Sequence, residues 1–389
     1  MALVALVYQR TPGSEVALAK LISFTIIPVF LIGPMAGVWI DRFNKKNIMI
    51  VSDILRGTLV LLIPLFLAMH QILLVYLVIF IIFSISRFFI PSKMALIPDI
   101  VSKEKLLLAN SLNDTTHLAG NVIGLVVAGI IVNISFIGAI GGFYIDAATF
   151  FISAAMIAMI VQREFVKKVK DDLIITKEAL EDSIRKSFLI EIKEALQYLV
   201  NHKEMRFVSV ILFILMAGIG TISCVIIVFI QNAFGTATRD LGFIGMFLVG
   251  GLLAGTLIYG RFGQKLGKAN AVLLSFAMTG IFIMLFTIFV RAYPNLLIAA
   301  VFSALLGASA SPIMITTNTL THEVIPEAMR GRIFSSLEIV IHLAFLIFMF
   351  IAAYAANIID RFWILISVGM VFLVTGAAGM VTVRKRRVT

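Results

Sequence analysis

The sequence predicts an all-α polytopic membrane protein, and three observations predict it. Of 389 residues, 61% are hydrophobic and only 14% charged, against about 25% charged in soluble domains. Apolar runs close to the ~20 residues needed to cross a hydrocarbon core recur along the whole chain. The charged residues gather in the connections between those runs, so the net charge of +11 marks membrane topology rather than a nucleic-acid surface.

The elements follow from apolar length and punctuation. The opening MALVALVYQR has neither a basic leader region nor a small-residue cleavage site, so it does not read as a signal peptide. Its eight apolar-rich residues reach only about 12 Å as helix. Spans are then predicted at 16–40, 48–68, 72–90, 108–134 and 137–162. The connection 163–206 is charged and contains LIEIKEALQYLV, in which Leu189, Ile192, Leu196, Leu199 and Val200 recur at helical spacing. That pattern predicts an amphipathic helix on the membrane surface or against the bundle. Six more spans are predicted at 207–232, 241–260, 270–291, 296–318, 333–356 and 362–382, which makes eleven. The expected domains are an N-terminal half over 1–162, a cytoplasmic linker over 163–206 and a C-terminal half over 207–389.

Alternate connections carry very different charge. The set at 42–46, 87–105, 163–206, 261–268, 330–332 and 384–387 holds 26 of the 32 lysines and arginines, while the opposite set holds five. The positive-inside bias places the first set, and with it the C-terminus, in the cytoplasm. The single cysteine, Cys224, lies in an apolar run, which excludes an intrachain disulfide and leaves a small buried hydrophobe.

The two sets of spans repeat in the same orientation. Pro91, at the expected end of one span, precedes DIVSKEKLLLANSL, and Pro312 precedes EVIPEAMRGRIFSSL. GVWIDRFNKK at 37–46 has a degenerate counterpart in GTLIYGRFGQKLGK, with Tyr259 where Asp41 stands. Parallel repeats are a mark of secondary transporters that bind substrate between their halves. They also expose an asymmetry. A full span precedes the loop FGTATRD of the second half, but only MALVALVY precedes the matching QRTPGSE, so a first helix is expected to be mostly missing.

GVWIDRFNKK resembles the loop motif of the major facilitator superfamily, matched by Gly37, Asp41, Arg42, Lys45 and Lys46, with Asn44 in place of a glycine. Asn tolerates left-handed backbone, so this departure is expected to be mild. Pro91, Asp99, Val101, Ala109 and Asn110, then Asp146 in YIDAATFF, then Pro326, Glu327, Arg330, Gly331 and Arg332, resemble the bacterial macrolide-efflux and enterobactin-exporter branch in order. The resemblance implies the major facilitator fold, two parallel-repeat six-helix halves around a central cavity. The fifth span has Gly120, Gly124 and Gly129, but Leu125 stands where exporters often have proline. Close helix packing accounts for such glycines as readily as an efflux signature does.

No metal, nucleotide or nucleophile motif appears: His322-Glu323 lacks a second histidine and GQKLGK lacks the spacing of a phosphate loop. The chain is therefore expected to be no enzyme, to hold no cofactor and to draw on an ion gradient. Ionisable residues inside spans are costly and invite functional readings. Asp146, nine residues into its span, is the first candidate for a proton-binding carboxylate, with a hydrogen bond to a neighbouring helix as the alternative. Asp53 and Arg56, three apart, are expected to pair with each other or with the Asp41 loop. Ser335 and Glu338 have capping-box spacing, which would account for that carboxylate structurally. His342, one turn on, and His117 titrate near neutral pH or serve packing. Lys20 is expected to snorkel to the outer interface.

The expected function is secondary active transport in a bacterial cytoplasmic membrane: proton-coupled efflux of an amphipathic drug, macrolide or siderophore by a monomer. A lysophospholipid translocator, suggested by PSKMALIP with Lys93, and a degenerate non-transporting membrane sensor or partner are the alternatives. By resemblance, Asp41 is a gate residue meeting the amino-terminal end of the eleventh span, near Ser335.

Overall fold

The computed structural model describes residues 2–32, 43–102, 137–160, 201–236, 238–263, 267–324 and 330–388, with scattered positions between 105 and 134. Its regular elements are all helical. They are α1 (Ala2–Arg10), α2 (Glu15–Leu31), α3 (Lys45–Ala68), α4 (Ile72–Ile100) and α5 (Gly138–Ala158). Then come α6 (Lys203–Phe234), α7 (Arg239–Phe262), α8 (Lys268–Ala292), α9 (Leu296–Val324), α10 (Arg330–Ala355) and α11 (Arg361–Val388).

Among the described residues, nine helices are long and apolar enough to cross a membrane, namely α3 to α11. Residues 33–40 of the first predicted span and much of 108–134 lie outside the described residues. So do the loop residues Gly37, Asp41 and Arg42, together with His117 and the predicted linker helix at 189–200.

Two expected span ends are corrected: α4 runs through Pro91 to Ile100, so that proline does not terminate its helix, and α9, whose predicted span already contained Pro312, runs past residue 318 to Val324. A proline removes one helical hydrogen bond, and in a bundle the neighbouring helices supply the missing support. Asn44 is corrected as well. It is not left-handed but extended (φ −65°, ψ 113°), and its side chain accepts a hydrogen bond from the Asn47 amide, capping α3. The Ser335–Glu338 capping box also fails. α10 begins at Arg330, so Ser335 lies inside the helix and its spacing to Glu338 is that of an ordinary turn.

The ends and crossings of the other helices have local causes. Ser14 caps α2 by accepting from the Ala17 amide at 3.2 Å, and Asn295 accepts from the Leu297 and Ile298 amides at the start of α9. Lys46 donates to the carbonyls of Ala158 (2.8 Å) and Ile160 (2.9 Å), so the start of α3 closes the carboxyl end of α5. Where α7 crosses α9, a Cβ on Gly251 would lie 1.9 Å from the Ala304 carbonyl oxygen, and one on Gly307 would lie 2.0 Å from that of Leu248. Only glycine permits that approach, which is how small residues bind helices where lipid removes the hydrophobic drive.

All spans put their lysine- and arginine-rich ends on one side, called here the basic side; the other is the far side. The buried apolar residues divide by depth. On the far side a single cluster unites both halves, with Leu18, Leu21 and Ile63 of the first half packed among Val225, Phe229, Met349 and Leu365 of the second. On the basic side the clusters seen among the described residues are separate: Met49, Leu96 and Ile157 in the first half, and Ile211, Val272, Ile313 and Phe372 in the second.

Candidate functional site

The site is the seam between the halves, and it is built from the far side inward. Ser14 ends the turn before α2 and sets Glu15 in its first helical turn. Glu15 is only 2% exposed, which demands a partner for its charge. That partner comes from the first residue of α11: Arg361 Nε forms an ion pair with Glu15 Oε1, and Arg361 Nη2 donates to the Gly13 carbonyl at 3.1 Å. One guanidinium thus ties the turn before α2 to the start of α11 and closes the seam at its far rim. A second pair, Arg291 with Asp360 at 3.2 Å, is half exposed and holds α8 to the turn before α11 within one half.

Below this rim α2 packs against α6 and α10. Among the described residues, the deepest ring contact across the seam joins Phe30 of α2 to His342 of α10, edge to face, with centroids 6.3 Å apart. From Glu15 to Phe30 is about 22 Å along the helix axis, and from His342 to the end of α10 about 20 Å. Closure from the far side therefore extends through roughly two thirds of a ~30 Å hydrocarbon core.

The fifth span repeats the pattern. A Cβ on Gly129 would lie 3.3 Å from Gly242 Cα of α7, a close contact between the halves near the far rim. At Gly120 and Gly124, nearer the basic side, a Cβ would meet nothing within 4 Å. Of the three glycines expected to mediate packing, Gly129 is the one seen in close contact among the described residues.

The remaining predicted residues fall into two groups. Asp53 and Arg56 of α3 form a buried ion pair. Arg56 also donates to the Ser52 carbonyl (3.3 Å) and Ser86 Oγ (3.4 Å), and lies over the rings of Phe89 (4.3 Å) and Phe150 (4.8 Å). This cluster fastens α3, α4 and α5 to each other and does not reach the seam. Asp146 of α5 stands one turn before Phe150 on the same helix; it is exposed, and its carbonyl accepts from Thr149. Lys45 donates to the Ala95 carbonyl at 3.1 Å.

Glu338 and His342 form the second group. They stand one turn apart on α10, and His342 Nδ1 lies 2.8 Å from the Glu338 carbonyl oxygen. Since His342 faces Phe30 across the seam, Glu338 occupies the next turn toward the basic side on the same face, where it is exposed. Lys20 is exposed on α2, one to two turns below the far rim.

Sequence reading missed Glu15 and Arg361 as a pair. Each looks like an ordinary residue at a helix start, and nothing local connects positions 346 residues apart. A buried acid in a first turn followed by an apolar helix was the only available signal. Among the described residues, no group of three or more histidine, cysteine or acidic side chains is placed to hold a metal.

Comparison with known proteins agrees with this architecture. The family model described as the Major Facilitator Superfamily matches residues 1–203 and 208–389. An uncharacterized MFS-type transporter of Bacillus subtilis, YfiS, is 24% identical over 357 residues, covering 87% of this chain and 78% of its own. A second from the same organism, YkuC, is 27% identical over 335 residues, covering 82% and 72%. Among solved structures, a bacterial homologue of the iron transporter ferroportin in an inward-facing state superposes with a TM-score of 0.74 at 15% identity, covering 97% of this chain and 93% of the other. The nucleoside transporter NupG superposes with a TM-score of 0.70 at 12% identity, covering 98% and 93%. With both halves matched and the helices packed in that fold, the chain belongs to the Major Facilitator Superfamily of membrane transporters.

Proposed function

We propose that this protein is a proton-coupled efflux transporter of a bacterial cytoplasmic membrane, seen with its cavity open to the cytoplasm. One observation carries the reading: the halves are sealed at the far side by the Glu15–Arg361 pair and one shared apolar cluster, while their basic-side clusters are separate. A seam closed at one end is one of the two states that alternating access requires. The positive-inside bias makes the basic side cytoplasmic. Outward direction and an amphipathic cargo follow the sequence resemblance to the macrolide-efflux and enterobactin-exporter branch, and 32 phenylalanines and 17 methionines suit an adaptable cavity.

The coupling carboxylate is reassigned. Asp146 stands on α5, one turn from the Phe150 ring that Arg56 covers, and α5 packs against α3 and α1 of its own half. Glu338 has no capping duty, stands on the seam face of α10 and adjoins a histidine. A carboxylate at the inner edge of the closed zone meets the cytoplasm in this state and the far side in the other, which is what proton exchange across the membrane needs.

The test is ethidium and radiolabelled erythromycin accumulation in cells expressing the chain, with and without a protonophore. The expected result is low accumulation that rises when the gradient is dissipated, with Glu338→Gln abolishing the difference and Asp146→Asn leaving most of it. Equal accumulation in energised and de-energised cells would sink proton-coupled efflux of these compounds. Labelled lysophospholipid movement in proteoliposomes, without export of either compound, would replace the reading by the translocator.

A further inference from the structure

Away from the seam, α7, α8 and α9 enclose a groove that the transport reading does not use. α8 packs against α9 and α11 of its own half. The groove has two connected sections that share Tyr259 and Gly263. The deeper section, about 320 Å³, is lined by Ile258, Met278, Phe282, Leu305, Ala308 and Pro312. The section nearer the basic side, about 490 Å³, is lined by Gly260, Lys268, Ile315, Thr316 and Thr319. Either volume lies within the range that holds a small ligand.

The polarity changes at the depth where a lipid changes. From Leu305 to Ile315 is about 15 Å along the α9 axis, the thickness of one hydrocarbon leaflet. Beyond it come the hydroxyls of Thr316 and Thr319, then the cation of Lys268, at the level where the apolar spans of α7 and α8 end at Arg261 and begin at Lys268. Thr316 donates to the Tyr259 hydroxyl at 2.7 Å, so the floor of the junction between sections is fixed. At the wall of the deeper section Ile258 is 59% exposed to whatever fills the groove, and at that depth the membrane supplies only acyl chains.

We propose that this groove is a binding site for one phospholipid of the basic-side leaflet with an anionic head group, its acyl chain in the Leu305–Phe282 section and its phosphate beside Lys268 and Thr319. The charge complement selects an anionic head group over a zwitterionic one. The site is independent of which compound the protein transports.

Two variants test it without endangering the fold. Gly260 lines the polar section, and a Cβ there would meet nothing within 4 Å, so the side chain of Gly260→Leu starts from open space and occupies the section. Lys268→Gln removes the charge and keeps a polar side chain of similar reach. Purified protein is titrated with phosphatidylglycerol or phosphatidylcholine in detergent, with bound lipid counted by native mass spectrometry and thermal stability read in parallel. The wild type is expected to retain one phosphatidylglycerol in preference to phosphatidylcholine and to gain several degrees of melting temperature from it. Lys268→Gln should weaken that lipid about fivefold, the effect of one surface cation on an anionic lipid. Gly260→Leu should lose the retained lipid while keeping its helical content. Equal retention of both lipids, unchanged retention in Gly260→Leu, or equal protection by inorganic phosphate would each overturn the proposal.

Discussion

Neutralising Glu15 should open the far side, and the size of the effect can be worked from the contacts. A hydrogen bond to a charged group contributes about 1.5–3 kcal/mol net. Glu15→Gln keeps a neutral acceptor of the same shape and leaves the Arg361–Gly13 bond in place, so a loss near 1.4 kcal/mol is expected. That is a factor of about ten in the ratio of states. Arg361→Gln should act more strongly. It leaves a 2% exposed carboxylate without its cation, a change that costs about 3 kcal/mol in the closed state and a factor on the order of 100. If the far-side-open state starts near 1%, the two variants should raise it to about 10% and about 50%.

Electron–electron distance measurements can read this. Cys224 is the single cysteine and is buried, so Cys224→Ala gives a silent background. Nitroxides at Thr11 and Ile358, exposed on opposite halves at the far rim, should report one short distance in the wild type. A longer population should grow in the order wild type, Glu15→Gln, Arg361→Gln. No longer population in either variant, or a larger shift in Glu15→Gln than in Arg361→Gln, would refute the assignment of this pair as the far-side lock.

Three further outcomes are expected. Asp41→Asn should insert normally yet transport poorly, judged by surface expression beside ethidium efflux; the partner that the family resemblance implies for Asp41 is the amino-terminal end of α10, and that helix begins at Arg330 rather than near Ser335. Lys46→Ala should lower thermal stability by about 1 kcal/mol, since it uncaps α5, while Lys46→Arg should retain most of it in the same melting experiment. Gly251→Ala should cost about 3 kcal/mol or prevent recovery of monodisperse protein, because its Cβ would overlap the Ala304 carbonyl, whereas Gly260→Ala should leave chromatographic behaviour unchanged.

Fold class and the position of most helices were legible because a bilayer imposes length and polarity on each helix separately. The α3, α8 and α11 regions fell within a few residues of expectation for that reason. Helix ends were less legible where the bundle overrides local signals, as at Pro91, which breaks a helix in water but sits inside α4. Site residues divided in the same way. Asp53 and Arg56 could be paired from spacing, since three residues place two side chains on one helical face. Glu338 was discounted because a capping box is a local pattern, and only the true start of α10 at Arg330 removes it.

The far-side lock was hidden for a deeper reason, which also explains its chemistry. Most of the shared cluster is apolar, and apolar contact fixes neither register nor angle between two helical surfaces. An arginine that must reach both the Glu15 carboxylate and the Gly13 carbonyl fits one approach of α11 to α2 and no neighbouring one. The two charges also hydrate when the rim opens, which offsets part of what their separation loses. The pair therefore sets the geometry of closure while adding only a modest barrier to opening. A purely apolar rim of equal area would keep the seam shut longer without specifying how it shuts. An alternating transporter needs the first property and is harmed by the second.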